Sequence, residues 1–285
     1  MAPSIAIIAH EHDDFITRRS HLREVARIWQ DNGFDVGVYI RPTKGARADI
    51  AILHVNLTVV PQEYLEFAQS FPIALNGRVA DISKREISQQ ILDRDSKYDG
   101  PVLVKGNENY GGAPEKRMEG LLAKAAAQTV SVHSTPSPAS QFPRLSTYEY
   151  YVVDSVNNVP EDVWLNPNLV VEKFLPEKEG DLYIMRNWHF LGDGEYHTKC
   201  WGHNPIVKGS HVLKREPITE PIPSELREIR RRLNFDFGKW DYALVDGKPV
   251  VFDVNKTPNL GALNEKQAKP KFEILSKGIY KYLSK

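Results

Sequence analysis

Two oxygen-bearing side chains, Asp253 and Asn255, stand two residues apart in the run KPVVFDVNKTPN. Strand side chains alternate faces, so a strand here points both the same way. One charged and one neutral oxygen suit a hard cation such as Mg²⁺, whose other positions go to phosphates and water. In isolation the pair reads equally as a strand end closed by an Asx-type turn. A second chemistry lies at Gly100–Gly112, where the apolar run Val102-Leu103-Val104 ends in Lys105 and a glycine-rich stretch, GNENYGG, follows. Glycine lets backbone N–H groups approach an anion, and a lysine at a strand end supplies a point charge for phosphate. No G-x-x-x-x-G-K-[ST] occurs, so this is not an ordinary P-loop.

Other polar clusters are less specific. HEHDD (residues 10–14) offers His and carboxylate ligands. It is not HExxH, and consecutive loop residues rarely converge on one ion, so a substrate-side role or a solvated loop stands beside the metal reading. The role of His10, His12 and His54 stays open. Arg186 lies in the apolar, aromatic run DLYIMRNWHFLGD, where an arginine seeks a carboxylate or, equally, a phosphate. Lys199, His203, Lys208, Ser210 and His211 fall in HTKCWGHNPIVKGSH, a segment with the polarity and glycines of a cleft-lining loop.

The elements that must hold these residues begin with alternating strand and helix. Ser4–Ala9, Phe34–Ile40 and Ile50–Val55 read as strands; Ile16–Asn32 carries Leu22, Val25, Ala26 and Trp29 at helical spacing and stops at Gly33; a further helix begins near Pro61. The β-α-β order implies a small parallel sheet, whose ligands gather at the carboxyl ends of its strands. His10, Arg41, His54 and Asn56 stand there. Ser83 and Glu86 have capping-box spacing, which sets Lys84 in the first turn of a helix although a cation opposes the dipole at that end. A Pro- and Ser-rich irregular loop is expected near residues 133–138.

The hairpin KWDYALVDGKPVVFDVN sets a geometric condition on the metal pair. A two-residue turn, Asp246-Gly247, would put Asp241 opposite Phe252 and face it away from Asp253. A three-residue loop, Val245-Asp246-Gly247, puts Asp241 opposite Val251 and on Asp253's face. Gly247 suits the left-handed third position, so that loop is the expected one.

Composition sets the outer bounds. The 285 residues exceed a usual single domain, and 37 basic against 37 acidic residues leave no net charge to attract nucleic acid or an anionic membrane. One cysteine fits a reducing compartment; MAPSIAIIAH lacks a charged leader, and no apolar run spans a bilayer. The expectation is a soluble cytoplasmic protein.

Lys84, Val104-Lys105 with its glycine loop, Val171-Glu172-Lys173-Phe174-Leu175, and Asp241 twelve residues before Asp253-x-Asn255-x-x-Pro258 occur in an order that resembles the ATP-grasp superfamily. The similarity covers roughly residues 75–265. It implies an α/β (α+β) fold with a small N-terminal parallel unit (1–75), a lobe with the glycine loop (76–175) and a lobe with the metal hairpin (176–285). It further implies ATP and two Mg²⁺ ions, or Mn²⁺ in their place. Lys84 and Lys105 would contact phosphates, Lys105 also lying near the adenine. The loop with Asn109, Gly111 and Gly112 would close over the phosphates. Glu172–Leu175 would meet the adenine through backbone groups, with Glu179 or Asp181 on the ribose. Asp241, Asp253 and Asn255 would bind the metals, and Arg186 would approach the γ-phosphate or an acyl phosphate.

The implied reaction is ligation of a carboxylate to an amine through an acyl phosphate, on a small-molecule or peptide substrate. The same machinery would serve a small-molecule kinase. A non-catalytic nucleotide-binding module fits least, because Lys105, Asp241, Asp253 and Asn255 are all present. Two departures from the family's pattern stand out: Asp253 where a glutamate is usual, and an abbreviated stretch between Lys84 and Lys105.

Overall fold

The structure, a computed structural model, describes residues 2–13, 15–118, 131–133, 145, 148–260 and 265–283. The chain opens with β1 (Ser4–Ile8), α1 (His21–Asp31), β2 (Asp35–Tyr39), β3 (Ile50–Leu53), α2 (Gln62–Gln69) and β4 (Ile73–Leu75). The four strands form one parallel sheet in the order β2-β1-β3-β4. β1 and β3 are almost entirely buried because crossover helices cover both faces, which is why they read as unbroken apolar runs. Leu22, Val25, Ala26 and Trp29 are the buried stripe of α1, and the Trp29 indole donates to the Ser276 carbonyl at 2.9 Å. The helix is shorter than its periodicity suggests: Ser20 caps it by accepting from the Arg23 N–H, so residues 16–19 stay outside.

The chain continues through α3 (Lys84–Ile87), β5 (Val102–Gly106), α4 (Ala113–Met118), β6 (Ser131–His133), β7 (Glu149–Val153), α5 (Glu161–Trp164) and β8 (Leu169–Lys173). These strands build a second sheet, β6-β7-β5-β8, packed on Val102, Val104, Tyr151, Val153 and Val171. The capping box at α3 does not form. Ser83 makes no side-chain cap; the Lys84 and Arg85 N–H groups instead donate to the Asn107 carbonyl and side-chain oxygen at 2.9 and 3.1 Å, so the segment after β5 supplies the cap. Apart from His133, the Pro- and Ser-rich stretch lies outside the described residues.

The third sheet comes from β9 (Glu177–Glu179), β10 (Leu182–Leu191), β11 (Gly194–Gly202), β12 (Lys214–Pro217), α6 (Ser224–Arg232), β13 (Phe237–Val245) and β14 (Lys248–Asn255), followed by α7 (Glu265–Lys277). Its order is β12-β11-β10-β13-β14, antiparallel throughout, with β9 paired to β10. Trp188, Phe190, Trp240 and Tyr242 pack one face against Leu226 and Ile229 of α6. Among the described residues no helix is long and apolar enough to cross a membrane.

The β13–β14 hairpin overturns the expected loop and yet meets its condition. Val245 pairs with Lys248, so the turn is the two-residue Asp246-Gly247, with φ of +52° and +76°. Two successive left-handed residues make a type I′ turn, whose twist suits the flanking strands. Regular pairing from that turn would carry Asp241 to Phe252. A bulge intervenes: Tyr242 pairs with Val251, Asp241 with Asp253, and Phe252 is the extra residue. The one-residue slip restores the parity that the turn removed, and Asp241 and Asp253 share a face.

Candidate functional site

The second and third sheets face each other across a cleft of about 970 Å³, its open mouth included, a size suited to a cofactor. Lys105, at the end of β5, reaches it from one side. Its ammonium lies 2.7 Å from the Glu172 carboxylate and donates to the Phe252 carbonyl at 3.1 Å. Glu172 sits opposite Leu103 on β8, which puts it on Lys105's face one step along. Both side chains are more than nine-tenths buried, and the second Glu172 oxygen has no hydrogen-bond partner among the described residues.

After Glu172 the chain supplies Lys173, Phe174 and Leu175 to the cleft wall, faced by Ile184, Met185 and Ile206. This is a flat apolar slot. The Lys173 and Phe174 amides already donate to the carbonyls of Gln90 and Pro101, so of these three amides that of Leu175 is left with no acceptor among the described residues.

The glycine loop forms the roof. Tyr110, Gly111 and Gly112 have φ of +50°, +59° and +69°, three left-handed residues in succession. The positive φ favours glycine at 112, where a Cβ would also displace the Glu108 carboxylate. The loop is tied to the segment after β3: the Asn109 N–H donates to the Thr58 hydroxyl at 2.9 Å, and the Thr58 N–H donates to Glu115 of α4 at 2.6 Å. Gly111 lines the cleft; Asn109 and Gly112 stand behind it.

Asp241 and Asp253 line the opposite end, each held by an ammonium group. Lys84 pairs with Asp253, and Lys239 lies 2.7 Å from Asp241, which also accepts from the Asn187 amide at 2.6 Å. Burial alone would push the Asp253 carboxyl up. Lys84, with Lys208 and Lys105 beyond it, outweighs burial and holds the group below the usual carboxylate range. Asn255 lies one step further on the same face, but its oxygen accepts from the Thr257 N–H at 2.7 Å, the Asx turn that the D-x-N pattern also allows. It is not part of the cleft lining. Two ionised carboxylates on one face fit a divalent cation, with Asn255 as an outer oxygen.

Three residues implied by the resemblance lie elsewhere. Arg186 is committed to Glu177 through two parallel bonds of 2.9 and 2.6 Å, which raise its affinity for its proton. Glu177 also accepts from the Leu244 amide at 2.7 Å, so this pair fastens β9 to β10 and β13. Glu179 is exposed and bound by Lys199 at 2.5 Å and the Trp201 indole at 2.9 Å; Asp181 stands exposed in the β9–β10 turn. None of the three lines the cleft.

Of Lys199, His203, Lys208 and His211, Lys208 lines the cleft, next to Pro205, Ile206 and Val207. Burial would lower its pKa, but the Tyr150 hydroxyl beside it and the Asp253 and Asp241 carboxylates raise it instead. Tyr150 is a site residue that nothing in the sequence marks beyond the apolar alternation of its strand.

At the N-terminal sheet, His10, His12, Asp13 and Asn56 meet Pro114 and Arg117 around a recess of about 370 Å³. His10 is lowered by burial and by His12. Glu11 and Arg41 pair on the rim at 3.7 Å. His54 departs from this set: it lies in the core between Phe15 and Phe237, its pKa pushed down to about 3 by burial. Among the described residues no three His, Cys, Asp or Glu side chains are grouped to hold a metal, His10 to Asp13 included; Asp14 of HEHDD lies outside the described residues.

Two sheets facing each other across a cleft, fronted by a parallel α/β unit, define the class of fold. The particular fold is the ATP-grasp fold. A RiPP-associated ATP-grasp ligase from Chryseobacterium gregarium, in complex with ADP and a leader and core peptide, matches with a TM-score of 0.54 at 11% identity, over 98% of this chain and 97% of its own. ATP-grasp ligase PsnB, complexed with a minimal precursor, matches with a TM-score of 0.52 at 10% identity, over 97% and 99%. No protein-family model matches the sequence, and no curated protein matches it.

Proposed function

We propose that the protein is an ATP- and Mg²⁺-dependent ligase that joins a carboxylate to an amine through an acyl phosphate. The observation that carries this reading is the polarity of the cleft. An apolar slot at Phe174 and Leu175 occupies one end, while Lys84, Lys105, Lys208 and the Asp241–Asp253 pair occupy the other. A nucleotide with its base in the slot presents its phosphates to the cations. Leu175 N–H is the donor for the base, and Gly111 covers the phosphates. Asp241 and Asp253, with Asn255 outside them, would hold magnesium. Bound there, it would neutralise the transferring phosphoryl group and take over the charge compensation that Lys84 and Lys239 give the two carboxylates.

Lys105 and Lys208 hold the phosphates in line, and the closed cleft keeps water from the acyl phosphate. The substrate carboxylate attacks the γ-phosphorus and ADP leaves; the amine attacks the acyl carbon and phosphate leaves. Arg186 acts from behind by fixing β9 through Glu177. The recess at His10, His12 and Asn56 adjoins this end, since Asn56 accepts from the Thr257 hydroxyl at 2.8 Å, and it offers imidazoles to the incoming amine component. The solved relatives that contain precursor peptides make a peptide substrate as admissible as a free acid.

The test is purified protein with ATP, Mg²⁺, pooled acids and hydroxylamine, analysed by mass spectrometry. ADP with a hydroxamate supports the ligase. A product heavier by one phosphoryl group, with no free phosphate, identifies a kinase; tight ATP binding without turnover identifies a binding module.

A further inference from the structure

The third sheet carries a second polar group on the face that bears Asp241. Residues paired across antiparallel strands share a face, as do residues two apart on one strand. Asp241 pairs with Asn187 and Lys239 with His189 on β10; His189 pairs with Tyr196, and Cys200 with Arg215, across β11 and β12. Lys239, His189, Tyr196 and Arg215 therefore lie on Asp241's face. Lys271 of α7 comes down on the same spot, its ammonium 5.5 Å from the centre of the Tyr196 ring. His21 stacks on His189 at 4.9 Å and closes the floor.

Among the described residues the charges here do not balance. Three cations, Lys239, Lys271 and Arg215 of the exposed edge strand, lie around the stacked rings, and the described carboxylate on that face beside them is Asp241, already held by Lys239. Neither Arg215 nor Lys271 pairs with a carboxylate among the described residues. Burial and the adjacent Arg215 pull the Lys271 ammonium down, which is the response of a cation lacking an anion. The floor adds no negative charge. Burial lowers His21 to about 3 and His189 well below its ordinary value, so both are neutral, and their Nδ1 atoms and the Tyr196 hydroxyl have no hydrogen-bond partner among the described residues.

We propose that this cation cluster binds a second anionic group of the acid substrate, so that the substrate is a di-anion with one carboxylate at the phosphoryl-transfer end beside Asp241 and its other anionic group between the exposed Arg215 and the half-buried Lys271. A carboxylate and a phosphonate share the chemistry that would be recognised. The assignment rests on the ligase reading for what happens at the first carboxylate, but the cluster's preference for di-anions is measurable by binding alone.

The experiment is isothermal titration of the full chain with glutarate, butyrate and 3-phosphonopropionate, with and without Mg²⁺ and a non-hydrolysable ATP analogue. Glutarate or the phosphonate is expected to bind at least about tenfold more tightly than butyrate, the scale of one charge-assisted contact; which of the two leads identifies the second group. Lys271→Met and Arg215→Met should each remove most of that advantage while the nucleotide's own affinity holds. Lys271→Glu should turn the preference toward 4-aminobutyrate, a gain that misfolding cannot mimic. Equal binding of glutarate and butyrate in both conditions, or an advantage that survives both Met variants, overturns the proposed site. Failure of the nucleotide to bind tells against the ligase reading and leaves the comparison between acids intact.

Discussion

Replacing Lys105 by methionine should damage the protein in two separable ways. The Lys105–Glu172 pair is 2.7 Å long, with side-chain exposures of 7% and 3%. At that separation two unit charges attract by roughly 6 kcal/mol for an effective dielectric constant of about 20, most of it spent against desolvation. Removing the lysine alone strands a buried carboxylate, and a broken buried pair costs about 3–5 kcal/mol. At about 2–4 °C per kcal/mol, the melting temperature of Lys105→Met should fall by roughly 6–20 °C. The double variant Lys105→Met/Glu172→Gln removes both charges and should recover most of that loss. Nucleotide binding follows a different rule, because the ammonium is proposed to meet phosphate directly; it should be weak in the single and the double variant alike. Differential scanning fluorimetry and titration with a non-hydrolysable ATP analogue provide the two readouts. A double variant as unstable as the single one would refute the pair's energetics. Full nucleotide affinity in the recovered double variant would refute the phosphate role.

Other perturbations reach the remaining parts. Asp253→Asn should lower turnover by at least about a hundredfold and abolish its dependence on Mg²⁺ concentration, checked by ADP release. Arg186→Met should lower the melting temperature, since it unfastens β9, while the KM for ATP holds; a rate loss without destabilisation would place Arg186 at the phosphates instead. Lys256 is buried without a hydrogen-bond partner among the described residues, and burial lowers its pKa to about 7. The unfolded chain keeps that proton up to about pH 10.4, so between pH 7 and 10 it binds more protons than the folded chain and stability rises with pH, by a slope approaching roughly 1.4 kcal/mol per unit. Lys256→Met should raise the melting temperature at neutral pH and flatten that slope. Gly247→Val should cost about 1–2 kcal/mol, because the type I′ turn holds Gly247 at φ +76°.

Much of the fold was legible because periodicity reports burial. Val25, Ala26 and Trp29 sit where helical spacing puts them, and the apolar runs of β1 and β3 are buried on both faces. What escaped was whatever depends on register. Asp246-Gly247 is compatible with a two- or a three-residue turn, and nothing in PVVFDV marks Phe252 as a bulge, so two errors of one residue cancelled in the position of Asp241. Arg186 could be seen to need an anion, but that the anion is Glu177 depends on β9 folding back along β10. Ser20 read as one polar residue within a helix until its role as cap set the boundary. The grouping of Arg215, Lys239 and Lys271 needs three strand registers and a helix docking at once. Chemistry within a few positions was therefore readable, and chemistry assembled across the sheet was not.

Thr58 has a bearing on modularity. It belongs to the N-terminal unit, yet its hydroxyl and its amide hold both the glycine loop and α4. The small parallel sheet is thus a structural part of the cleft's roof, besides any part it takes in choosing a substrate. Grafting that unit from a relative would exchange the tether with the sheet, so a chimera without a hydroxyl at position 58 would lose control of its loop even with every residue of the cleft lining intact. The natural seam for recombination lies elsewhere than the boundary between the first two sheets.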